Sequence, residues 1–166
     1  MAGHAEPGVV IDHPNRETDA SRLTRAAVVA LLLISAALIC AVLVGGWSAL
    51  QGMRAVCVLW VIGSLGFAFY VWRWNRGVLP VIAALAVIMM IFALLAVPSW
   101  FDRDAPGYSQ PALSAGVLGA LTAIIVAVQV LLAAVALQGF TQAWNVEVER
   151  PAGEDPGYEP DLAEVA

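Results

Sequence analysis

The stretch "LSAGVLGALTAIIVAVQVLLAAVALQGF", Leu113 to Phe140, contains no Asp, Glu, His, Lys or Arg. About 20 apolar residues in a helix, rising 1.5 Å each, cross the ~30 Å hydrocarbon core of a bilayer. The stretch lacks the apolar/polar alternation of a barrel strand, and in lipid a lone segment satisfies its own backbone only as a helix. A transmembrane helix over about 113–140 follows. It is longer than the hydrocarbon requires, so it tilts or projects past the interface.

Three more uncharged apolar runs precede it, over about 26–46, 55–72 and 78–100. The whole chain agrees: 61% of its 166 residues are hydrophobic and 13% charged, against roughly 45–50% and 25% in soluble domains. The expected fold is all-α, a four-transmembrane-helix bundle running up-down-up-down. It occupies 21–150, between a disordered polar tail at 1–20 and an acidic disordered tail at 151–166. Ser21 is expected to cap the first helix and Gly45-Gly46 to close it. Gly77 breaks the chain before the third helix, where Pro80 falls in the first turn and needs no N–H partner. Pro98 bends at most the last turn, and Pro111 precedes the fourth helix. The charged lead-in of over twenty residues does not fit a cleaved signal peptide. The run continues through Ala41-Val42-Leu43-Val44, so Cys40 does not read as a lipidation site.

The arginines set the expected orientation. All eight basic residues are Arg, which with the abundant Ala and Val suggests a GC-rich bacterial genome. With a cytoplasmic N-terminus, Arg16, Arg22, Arg25, Arg73, Arg76 and Arg150 lie inside, and Arg54 and Arg103 outside. By the positive-inside rule the chain is a multi-pass protein of the cell (inner) membrane with both termini cytoplasmic. Trp47, Trp100 and Tyr108 then mark the outer interface, and Tyr70, Trp72, Trp74 and Trp144 the inner one. "WFDRDAPGYSQP", 100–111, is the outer loop between the third and fourth helices. Its Asp102 and Asp104 are too few for an oxygen cage of six to eight ligands, and Arg103 competes for them, so it reads as a solvated turn.

The spans hold no Asp, Glu, His, Lys or Arg. Such residues mark proton relays and ion paths in membranes, so their absence argues against a carboxylate-driven transporter. His4 and His13 both lie in the N-terminal tail, which removes a bis-histidine haem from the bilayer and leaves no base for a serine nucleophile. No CxxC is present. The expectation is no catalytic residue, cofactor or metal, and no basic cluster for nucleic acid. Cys40 and Cys57 fall at depths ~4–5 Å apart, which leaves a disulfide conceivable; free buried cysteine is the commoner state.

The polar groups that remain share one depth. Ser35, Ser64 and Gln129 are each near the middle of a helix, level with Met89 and Met90, and are expected to form a midplane layer that packs the bundle or lines a small-molecule pocket. Trp60, inside the second helix, packs on a neighbour or stacks on a ligand. The fourth helix also carries a small-residue stripe, Gly116, Ala120, Ala123, Ala127 and Ala134, of the kind that lets membrane helices approach closely. Gly63 and Gly66 are small in the same way. Beyond the helix, Trp144, Val146 and Val148 alternate with Asn145, Glu147 and Glu149, a period-two pattern that suggests a strand or an extended segment lying along a partner. The functional expectation is an accessory, assembly or anchoring subunit of a membrane complex, in contact with lipid and with another membrane protein or a second copy. The alternative is a small self-associating channel or carrier around the Gln129 layer.

Overall fold

The computed structural model describes residues 9–104 and 111–151 of the chain. In order, the elements are β1 (Val9–Asp12), α1 (Pro14–Glu17), α2 (Asp19–Gly45), α3 (Arg54–Trp72), α4 (Leu79–Phe101), α5 (Ala115–Thr141) and β2 (Val148–Pro151). Single 3-10 turns at Arg76–Val78 and Asp102–Asp104 flank α4. Helices α2 to α5 are the four expected spans, each long and apolar enough to cross a bilayer. They run up-down-up-down, so the all-α four-helix reading holds.

Helix starts follow local chemistry. Asn75 leads the 3-10 turn before α4 by accepting from the Gly77 N–H, Pro80 sits in the first turn, and the Ser114 hydroxyl accepts from the Val117 N–H to begin α5. Pro98 lies within α4, which continues to Phe101. Helix α3 ends by a left-handed turn at Trp74 (φ 61°). The Asn75 N–H reaches the Tyr70 carbonyl and the Trp74 N–H the Val71 carbonyl, the paired bonds of a Schellman stop that usually places glycine where Trp74 stands.

The N-terminal segment departs from expectation. Residues 9–20 were expected in a disordered tail, yet they form β1, α1 and the first residues of α2. Helix α2 begins seven residues before the expected 26, because Thr18 rather than Ser21 is the cap: its hydroxyl accepts from the Ser21 N–H at 3.2 Å. Ser21 and Thr24 are buried in the first turns. The physical reason is a partner late in the chain. Val9–Asp12 pairs antiparallel with Val148–Pro151, with Ile11 opposite Glu149 and Asp12 opposite Val148. Only the end of the period-two segment, Val148 and Glu149, is in the strand, which lies along the chain's own start; Trp144 and Asn145 are in a turn. The tail readings for 1–8 and 152–166, like those for Tyr108 and the rest of 105–110, fall outside the described residues.

Helix α2 packs on α3 and α5, and α5 packs on α4, whereas α3 and α4 make little direct contact. The helices therefore form an open arc rather than a closed square. The core inside the arc divides in two. Toward the termini, Val28, Leu32, Val71, Leu79, Ile82 and Trp144 pack together. Toward the opposite end, Ile39, Val42, Met89, Trp100, Leu118 and Ile125 do. Glycines mark the tight approaches. A Cβ at Gly119 would lie 2.8 Å from the Phe101 ring, and one at Gly46 would lie 2.8 Å from Trp100. Gly63 and Gly66 are not such points, since nothing lies within 4 Å of a Cβ at either.

Candidate functional site: a polar seam beside a lateral cleft

Between the two halves of the core lies one polar seam. Ser35 sits on α2 between Leu32 and Ile39, and Gln129 on α5 between Ile125 and Leu132, so each comes one helical turn from core residues on either side. The helix pair brings them together: the Gln129 Nε2 donates to the Ser35 Oγ at 2.7 Å. Ser35 is 0% exposed and Gln129 1%. The amide is only half satisfied, because Gln129 Oε1 is buried without a hydrogen-bond partner. Ser64, the third residue expected in this layer, is also buried. It joins neither of the other two by a hydrogen bond, because the open α3–α4 side puts space where the contact was expected.

That space is a cleft. A cavity of about 210 Å³ is bounded by Trp60, Gly63 and Ser64 of α3, Ala86 of α4, and Gln129 and Leu132 of α5. A second, of about 100 Å³, lies farther from the termini against Cys57, Met89, Ala93 and Thr122. Leu59 on α3 and Phe92 on α4, both exposed, border the two cavities. The cleft therefore opens sideways, where lipid would be. Trp60 packs against the core, the first of its two expected roles, and it also lines the cleft. Cys40 and Cys57 are free thiols.

The stripe on α5 does not face the bundle. Gly116, Ala120, Ala123, Ala127 and Ala134 are all exposed, and the inward face carries Ala115, Leu118, Gly119, Thr122, Ile125, Gln129 and Leu132 instead. The reason is register. Gly119 and Gly139 supply the close approaches to neighbouring side chains, and the stripe lies round the helix from them.

The terminal end of the bundle holds a hydrogen-bonded cap that sequence reasoning missed. Trp144, expected at an interface, is 0% exposed. Its indole N–H donates to Gln142 Oε1, and the Gln142 Nε2 donates to the Thr24 hydroxyl. Asn15 and Arg16 donate to the carbonyls of Ala143 and Trp144. Arg25 stacks on Trp72 and Trp74, its Cζ 4.8 and 4.2 Å from the ring centroids, and donates to the Trp72 carbonyl. Arg76 donates to the Phe140 carbonyl and to Asn145, both at 2.7 Å. Arginines at this level were read for orientation only. Their donor forks also tie the helix ends together, a role that depends on contacts 47 to 128 residues apart in the chain. At the other end, the Arg103 guanidinium of the Asp102–Asp104 turn lies over Trp100. Among the described residues no three His, Cys, Asp or Glu side chains converge.

Four such helices around an uncharged core define an integral, multi-pass membrane protein. Comparison of the chain with protein-family models, with curated proteins and with solved structures found no match in any of the three.

Proposed function

We propose that the protein is a non-enzymatic subunit that binds within the membrane, an accessory, assembly or anchoring element of a larger membrane complex. The observation that carries this reading is the seam: its one buried hydrogen-bonded side-chain pair, Ser35 and Gln129, lies beside a sideways-opening cleft and not along a path through the bundle. The outward face of small residues on α5 adds support, because such faces let a neighbouring membrane helix approach closely. The orientation proposed with it places both termini in the cytoplasm of the cell membrane. Arg16, Arg22, Arg25, Arg73 and Arg76 then lie on the positive side.

The channel alternative draws less support from the geometry. Self-association through the α5 stripe leaves Gln129 enclosed on the opposite side of that helix, away from any shared lumen. The test is gentle extraction from native membranes. The expected result is elution as an assembly larger than the 17.5 kDa chain, with crosslinks to another membrane protein. A lone monomer would overturn the reading. Solute flux through liposomes that Gln129→Leu abolishes would favour the channel instead.

A further inference from the structure

We propose that the cleft between α3 and α4 binds one neutral lipid that carries a hydroxyl group on an apolar body, with the hydroxyl donating to Gln129 Oε1. The inference rests on reading the protein as a binder within the membrane, and it names what the cleft takes. Three observations select the ligand. The first is the orphaned acceptor: Gln129 is 1% exposed and its Oε1 lacks a donor, whereas buried polar atoms are nearly always paired. The other end of the amide is already held by Ser35, and the last torsion of a glutamine is soft. A donor in the adjoining cavity therefore completes the group.

The second observation is size. An apolar cavity of about 150 Å³ holds a benzene ring, so the cavity of about 210 Å³ beside Gln129 takes one substituted ring or a short length of chain. One turn of a helix, about 5.4 Å tall and 10 Å across, needs about 400 Å³. A partner's helix does not fit there. The smaller cavity farther from the termini, walled by Cys57, Met89 and Ala93, gives an apolar tail a place to lie.

The third is charge. Neither cavity is lined by Asp, Glu, His, Lys or Arg, and an unpaired charge is costly at this depth, so the ligand is neutral. Both a prenylated quinol and a diacylglycerol present this chemistry.

The experiment places the full chain in nanodiscs and offers three probes in turn under anaerobic conditions: decylubiquinol, decylubiquinone, which lacks the donor, and dioleoylglycerol. Native mass spectrometry reads the bound fraction. The expected result is a one-to-one adduct of decylubiquinol or dioleoylglycerol, favoured about tenfold over decylubiquinone; which of the two binds identifies a ring or a glycerol body. Gln129→Met removes that preference. Gly63→Leu adds a side chain on the cavity wall where nothing lies within 4 Å of the new Cβ, and it lowers occupancy without disturbing the seam. Equal binding of quinol and quinone, a preference that survives Gln129→Met, or no adduct with any probe overturns the proposal. None of these outcomes bears on the size of the native assembly, so failure here is distinguishable from failure of the subunit reading.

Discussion

The residue that governs the interior is Gln129, and its partner reveals how. A polar pair between membrane helices is worth about 0.6 kcal/mol on average and at most about 2. Ser35→Ala leaves both ends of the buried amide unmet and is expected to cost about 1–3 kcal/mol. Ser35→Ala combined with Gln129→Leu removes the stranded amide and recovers part of that loss. Reversible unfolding in bicelles measures both, and a double variant no more stable than Ser35→Ala alone would contradict the account. Steric contrasts are sharper still. Gly119→Val drives a side chain into the Phe101 ring, 2.8 Å from the new Cβ, for about 1–3 kcal/mol. Gly63→Ala meets open space and is expected to change stability by less than about 0.5 kcal/mol. Trp74 holds a left-handed backbone that costs a side-chain-bearing residue about 1–2 kcal/mol. Its ring is kept there by the Arg25 guanidinium on its face and by edge contact with Trp144, 5.4 Å between centroids.

At the scale of the element, the four spans were legible because lipid imposes one rule on every residue: stay uncharged over about 20 positions. That rule does not depend on which helix lies beside which, so single runs of sequence state it. The pairing of Ser35 with Gln129 was legible for a related reason, since shared depth is set by the membrane. The failures were all matters of neighbours. The stripe on α5 left open whether it met the bundle or another protein, because spacing cannot say which face of a helix meets its fellows when every face is apolar. Ser64 had the right depth on a helix that packs mainly against α2, so it met space. The start of α2 was missed because a polar first turn reads as tail until its partners Gln142 and Trp144 are known. That turn is testable. Thr18→Ala removes the cap and is expected to cost about 1 kcal/mol, with faster amide hydrogen exchange confined to the first turn of α2. Unchanged exchange there would show that the contacts with the 142–144 segment, not the cap, fix the helix start.

For the whole molecule, the ribbon of β1 and β2 means that both described ends of the chain meet at one end of the bundle. Ile11→Cys with Glu149→Cys replaces two directly opposed residues, and oxidation is expected to join them in a disulfide seen on non-reducing gels. Asp12→Cys with Glu149→Cys is out of register by one, which turns the two side chains to opposite faces, and should stay reduced. Equal crosslinking of both pairs would refute the ribbon. The same closure orders the steps of biogenesis. Arg16 and the Trp144 carbonyl it binds are 128 positions apart. At about 5–20 residues per second, the ribosome makes the first strand roughly 7–28 s before the second emerges. Until then the bilayer holds an unlatched arc whose leading edge is bare, and the later-made second strand is what locks the first in place. A chain released early by a premature stop would keep its spans but never latch, leaving a ready handle for the proteases that patrol the membrane surface.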